Sequence, residues 1–250
     1  MSAHTSFKIG GPADLFASVK SAEETAELIR LARSLGVAYM VMGNGSNMLV
    51  GDGGIRGLVI QIGKNIADVA VDGNMITAGA GAMMSKVAAV AARASLSGFE
   101  PLSGIPGTLG GAVYMNAGAY GGEMKNVVKT VTYIDDNGDL HTVGNAECGF
   151  GYRHSVFSDG GKYIVSAVLE LQVGDERTIR AEMDEYSRRR SEKQPLSQPS
   201  AGSTFKRPEG YFAGKLIQDA GLMGYRIGGA AVSEKHAGFV VNTGGATAED

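Results

Sequence analysis

Two stretches nearly free of side chains mark where this chain could do chemistry. The first is Gly43-Asn44-Gly45-Ser46-Asn47, and the second runs from Pro101 to Tyr120 and holds Ser103, Gly104, Gly107, Gly110, Gly111, Asn116, Ala117 and Gly118. Such loops offer little to packing, but glycine removes the Cβ barrier to close approach and permits the φ > 0 turns that aim successive amides at one anion. A diphosphate is the guest that suits this chemistry. Taken alone, the first loop is equally well explained as a tight turn, which needs nothing beyond glycine's conformational freedom. The longer run is not, because long glycine-rich loops are usually functional.

Arg153 stands in Tyr152-Arg-His-Ser155 between the aromatic residues Phe150 and Phe157. A guanidinium among apolar neighbours in sequence wants an anion, either a structural carboxylate or a ligand carboxylate held in its planar fork. Ser203 lies in Ala201-Gly-Ser-Thr-Phe-Lys206 after the proline-bounded stretch 194–199, with Lys206 and Arg207 close behind. An isolated serine there reads more often as a cap or turn residue. No G-x-S-x-G elbow is present, which counts against a hydrolase triad. The G-x-G-x-x-G fingerprint and the phosphate loop ending in Gly-Lys-Ser/Thr are also absent, which disfavours a Rossmann domain and a nucleoside triphosphatase.

Composition narrows the classes further. A formal net charge of −3 and a pI near 5.8 argue against a nucleic-acid partner. No apolar segment is long enough to span a membrane, and the first residues do not form a signal peptide. The single Cys148 rules out an internal disulfide and suits a reducing compartment, so the cytoplasm is expected. His4, His141, His154 and His236 never meet Cys or acid at ligand spacing, so no metal site is expected. Glycine is the outlier: 38 of 250 residues is about twice the roughly 7% of average usage, and many tight backbone corners follow.

The elements that must position these residues can be read in outline. Ser21-Ala-Glu-Glu24 is a capping box, and Leu28, Ile29, Ala32 and Leu35 form an apolar face up to Gly36. Strands are expected over 37–42, 58–62 and 75–78, then a glycine turn at 79–81 and a helix over 83–94. The 103–122 stretch is too glycine-rich for regular structure along its whole length. Asn137-Gly138 predicts a hairpin joining 127–134 to 139–143. A long β run follows over 163–173, then a charged helix over 176–193 with Ile179, Met183 and Tyr186 on one face. Beyond the linker a helix over 212–220 and a strand over 238–242 are expected. Thr247-Ala-Glu-Asp250 is a helix start with no helix after it, so the expectation is of a truncated C-terminal domain.

Taken together and in order, these motifs resemble those of the UDP-N-acetylenolpyruvoylglucosamine reductase family, in the form lacking an extra substrate-covering loop. The matching stretches are His4-Thr-Ser-Phe-Lys-Ile-Gly-Gly-Pro-Ala13, Gly43 to Asn47, Ser103 to Gly111 with Met115-Asn-Ala-Gly118, Tyr152 to Ser155, Ala201 to Lys206 and Phe239-Val-Val-Asn-Thr243. The resemblance implies an α+β protein with a two-lobed FAD-binding unit of the vanillyl-alcohol-oxidase (PCMH) type, then a smaller α+β substrate domain. The implied segments are lobe 1 over 1–66, lobe 2 over 67–175, and a linker helix with the substrate domain over 176–250. It implies NADPH-dependent, FAD-mediated reduction of the enolpyruvyl ether of UDP-N-acetylglucosamine to UDP-N-acetylmuramate, a step of peptidoglycan precursor synthesis. FAD would rest on the two glycine loops. Arg153 would face the substrate carboxylate and Ser203 would donate the proton, with Tyr152 and Lys206 as further substrate contacts. The family also uses a C-terminal glutamate, for which this chain has no matching stretch; Glu249 is not assigned that role. The alternatives are another FAD oxidase or dehydrogenase on the same architecture, or a catalytically idle binding module.

Overall fold

The helix expected after Ser21 forms as Ala22–Ser34. The Ser21 hydroxyl accepts from the Glu24 amide at 3.2 Å and the Glu24 carboxylate accepts from the Lys20 amide at 2.6 Å, so two donors at the helix start are satisfied. Thr25, Ala26, Ile29 and Ala32 form the buried face. Leu35, expected on that face, is instead the C-cap and 67% exposed, because Gly36 at φ 63° turns the chain away.

The computed structural model describes Met1–Asp250 and divides into two compact units. The larger comprises 15–44 and 58–188, the smaller 1–14, 45–57 and 189–250. These units interleave along the chain, whereas the expected segments 1–66, 67–175 and 176–250 run consecutively.

In the larger unit the Tyr39–Met42 strand pairs parallel with Leu58 to Gln61 of the next strand. The main sheet is antiparallel, in the order Leu140–Gly144, Val128–Asp135, Lys162–Glu170, Met75–Gly79, Val69–Asp72. The hairpin turn is where Asn137-Gly138 places it: Gly138 adopts φ 80° and the Asp135 carboxylate accepts from the Asn137 and Asp139 amides. The Met84–Arg93 helix packs into the core through Met84, Val87, Ala88 and Ala91, the alanines allowing close approach. Ile29, Ile60, Ile76, Met84, Leu109 and Leu169 lie within one continuous core. The β run expected over 163–173 divides into Lys162–Glu170 and Gln172–Val173. The glycine run contains the Leu109–Tyr114 helix, which turns Leu109, Ala112 and Val113 inward, and the short Gly118–Ala119 strand, paired with Gly122–Glu123.

A polar cluster ties this unit together at its edge. The Tyr39 and Tyr163 hydroxyls donate to Asp136 Oδ1 at 2.7 and 3.0 Å, and Arg33 Nη1 lies 3.3 Å from Oδ2. The Tyr39 hydroxyl, then that of Tyr163 and the Arg33 charge, hold the Asp136 carboxyl below the usual range, while burial pushes both tyrosines up. A carboxyl depressed in the folded state contributes stability that is complete above its unfolded value of about 4 and lost as pH falls through the folded value. Asp136→Asn is therefore expected to be less stable than the wild type above about pH 4 and to converge with it in more acid solution. Urea midpoints measured across that range check this; parallel curves would contradict it.

In the smaller unit a four-stranded antiparallel sheet runs Ser200–Ser203, Phe239–Asn242, Ala230–Val232, Arg226–Ile227. The N-terminal residues belong here because hydrogen bonds hold them: Asn242 Nδ2 donates to the Phe7 carbonyl at 3.2 Å, and Asp52 accepts from the Ala248 and Glu249 amides. The Glu176–Lys193 helix has the expected limits and buries Ile179. No helix is long and apolar enough to cross a membrane.

Candidate functional site

In the larger unit the glycine turns at 43, 79–81 and 107–110 lie in close contact with their neighbours. A Cβ on Gly43 would lie 2.4 Å from Thr108 Oγ1, one on Gly110 would lie 2.8 Å from Ala80 Cβ, and one on Gly81 would lie 1.8 Å from the Gly63 carbonyl. The Leu109 amide donates to the Ala82 carbonyl and the Gly110 amide to the Ala80 carbonyl, so the long run is docked on the 79–81 turn. Gly107, at φ 114°, makes the bend that brings Thr108 there. Asn44 and Gly111 are exposed, Gly43 and Gly104 partly so, and Ser103 and Ala117 are buried. The Ser103 hydroxyl donates to the Glu100 carbonyl at 2.7 Å. Neither loop contains a carboxylate, so this bare backbone fits an anionic diphosphate such as that of FAD. Gly110→Ala should cost about 1–3 kcal/mol, as overpacked sites do, and reduce flavin retention. Melting temperature and flavin absorbance per protein after gel filtration test it; full retention at wild-type stability would not fit.

A second constellation adjoins Asn116 to Gly118. Arg153 holds φ 53°, and Asn116 and Tyr120 hold φ 45° and 51°. Left-handed backbone costs a non-glycine residue roughly 1–2 kcal/mol, and such outliers persist only where their surroundings over-determine them. Here they do. Asn116 is fully buried; its Nδ2 donates to the Gly151 carbonyl at 2.8 Å and to Glu123 Oε2 at 3.0 Å, and its Oδ1 accepts from the Lys125 amide. Buried Ser155 donates to the Tyr114 carbonyl at 2.6 Å, closing the other side of the turn. Arg153 Nη2 donates to the Gly118 carbonyl at 2.9 Å, and its guanidinium lies 5.3 Å from the exposed Tyr152 ring. Burial disfavours the charged form of Glu123, but hydrogen bonds from Lys125 and Asn116 outweigh it and hold the carboxyl below the usual range.

In the smaller unit, Ser203 is exposed at the end of its strand. Gly202 at φ 83° breaks the register between the Ser200–Val241 and Ser203–Phe239 pairs, a bulge of the kind that re-aims a side chain. Lys206 is exposed nearby in sequence. Gly45, Ser46 and Asn47 belong to this unit, while Gly43 and Asn44 belong to the larger one. Ser6 joins Gly45 to the serine strand: its amide donates to the Gly45 carbonyl at 3.1 Å and its hydroxyl to the Ser200 carbonyl at 2.7 Å.

Sequence reasoning left Thr108, the packing role of Gly81, Ser6 and Glu123 without a part in the site. The strand-then-glycine pattern at 79–81 was a usable signal; the others depend on partners far away in sequence. Asn116, expected at the cofactor, has its side chain fully engaged within the protein. Cys148 is buried, donates to the Gly144 carbonyl and has its thiol pushed up to about 11 by burial, which leaves it inert.

The family model described as "FAD binding domain" matches residues 13–144, and that of the UDP-N-acetylenolpyruvoylglucosamine reductase C-terminal domain matches 194–250. The UDP-N-acetylenolpyruvoylglucosamine reductase of Clostridium perfringens is 50% identical over 250 residues, covering 100% of this chain and 82% of the relative. That of Caldanaerobacter subterraneus is 52% identical with the same coverage. Among solved structures, UDP-N-acetylenolpyruvylglucosamine reductase (MurB) from Thermus caldophilus is similar with a TM-score of 0.88 and 38% identity, covering 100% of this chain and 88% of that one. The 6-hydroxy-D-nicotine oxidase of Arthrobacter nicotinovorans, at 19% identity and a TM-score of 0.53 over 65% of this chain and 37% of its own, shares the fold.

Proposed function

The chain belongs to the UDP-N-acetylenolpyruvoylglucosamine reductase family, and on that premise we propose that it reduces the enolpyruvyl ether of UDP-N-acetylglucosamine to UDP-N-acetylmuramate, with FAD as cofactor and NADPH as reductant. The observation that carries this reading is Arg153, held in a strained turn with its guanidinium against the glycine run. Such a placement makes sense where an anion must be met at a fixed point.

Bound FAD would supply the hydride chemistry. The glycine loops, including Gly43, Gly104 and Gly111, would hold its diphosphate through bare backbone. Arg153 would face the substrate carboxylate, where negative charge grows as the double bond is reduced; a fixed cation there acts mainly in the transition state. The Ser203 hydroxyl would deliver the proton that completes the product. It is a feeble acid in water, and Lys206 and Arg207, close behind in sequence, would assist it. Segments 1–66 and 67–175 would serve the cofactor and 176–250 the UDP-sugar, with Tyr152 and Lys206 as contacts. A net charge of −3 and an inert lone thiol support a cytoplasmic enzyme that engages neither nucleic acid nor membrane.

Purified protein should be yellow, and after anaerobic reduction by NADPH it should be reoxidised by the enolpyruvyl sugar nucleotide, whereas hydroxy acids should not reduce its oxidised flavin. Colourless protein that takes up no flavin on reconstitution would overturn the proposal.

A further inference from the structure

Resting on the reading above, we propose that Glu123 is a positioning residue for Arg153, set against it across the bare Cα of Gly118. A Cβ on Gly118 would lie 2.7 Å from Glu123 Cγ, 2.7 Å from the Gly122 carbonyl and 3.4 Å from Arg153 Nη1. Gly118 does not have positive φ, so its lack of a side chain serves space: it lets the carboxylate chain and the guanidinium converge on one point. The two are joined a second way. Asn116 donates from a single Nδ2 to Glu123 Oε2 and to the carbonyl of Gly151, which opens the turn that carries Arg153. Moving the carboxylate therefore moves both the ground under the arginine and the field around it.

Charge gives this arrangement a functional sense. Glu123 Oε2 also lies 3.0 Å from Lys125 Nζ, so one carboxylate stands between two cations. Without it, Lys125 would lose its ion-pair partner and Arg153 would keep its bond to the Gly118 carbonyl but not the carboxylate's field, so ground-state binding would hold or tighten while Arg153 lost its fixed place. A group that aligns a cation for the transition state affects turnover more than binding. Residue 123 also caps the Met124–Asn126 turn, its amide donating to Asn126 Oδ1 at 2.8 Å and its side chain accepting from the Asn126 amide; glutamine keeps both a backbone donor and a side-chain acceptor there.

The test is Glu123→Gln, which keeps shape and the acceptor for Asn116 but removes the charge, with Glu123→Asp and Gly118→Ala alongside. Four quantities are read: kcat, KM for the enolpyruvyl sugar nucleotide, its Kd on oxidised protein without NADPH from the flavin spectrum, and Tm. Expected for Glu123→Gln is a kcat at least tenfold lower, with KM and Kd no higher than wild type and Tm within a few degrees. Glu123→Asp should recover part of kcat, and Gly118→Ala should lose it with every charge still present. Wild-type kcat in Glu123→Gln, or a loss of Tm alone, overturns the positioning role while leaving the proposed function standing. Wild-type protein that binds FAD yet does not turn over this substrate overturns both.

Discussion

Arg153→Ala should lower kcat/KM for the enolpyruvyl sugar nucleotide by about 100- to 1,000-fold, the usual effect of removing one fixed group that meets developing negative charge. The protein should still bind flavin, because in the proposed function the glycine loops and not the guanidinium hold it. Arg153→Lys should fall between the two: it retains the charge but loses the planar fork that can meet both carboxylate oxygens while also donating to Gly118. The backbone makes a separate claim. Arg153 sits at φ 53°, so Arg153→Gly should relieve strain and be no less stable than Arg153→Ala, although neither turns over. Stopped-flow reoxidation, flavin content and thermal melts separate these effects. Turnover of Arg153→Ala within a few-fold of wild type would remove Arg153 from the mechanism.

Ser203→Ala should lower kcat by about 100- to 10,000-fold, the range over which a positioned proton donor acts. The expected signature is selective: reduction of the flavin by NADPH proceeds at the wild-type rate, the sugar nucleotide still binds, and reoxidation by it fails. Folding should be unaffected, since the serine is exposed at a strand end and its neighbour Gly202 makes the bulge. Equal loss in both half-reactions would instead mean a structural role for the strand.

The contrast between Arg153 and Ser203 also bears on what could be read without coordinates. Arg153 stood out from its aromatic neighbours in sequence, whereas Ser203 was nominated only by the family resemblance of its short motif. What holds them did not stand out, since Asn116 reaches across to Gly151 and Ser6 to Ser200 through hydrogen bonds between distant segments. The same division runs through the fold. The Ala22–Ser34 helix, the Asn137-Gly138 hairpin and the Glu176–Lys193 helix were legible because a cap, a turn pair and an apolar period each act within a few residues. The Ala13–Ser18, Val69–Asp72, Ser200–Ser203 and Ala230–Val232 strands carried no clear alternation and exist because partner strands accept them.

By itself, the order of residues determined the family, the principal helices and hairpin, and the glycine-rich character of the loops, because all of these are written in neighbouring side chains. Tertiary structure alone decided that Gly43 abuts Thr108, that Gly110 abuts Ala80, and that the Glu123 and Arg153 side chains both approach the Cα of Gly118. Those contacts exist only once the chain has closed, and the space available for a single Cβ is a property of the packed backbone rather than of any local run of residues.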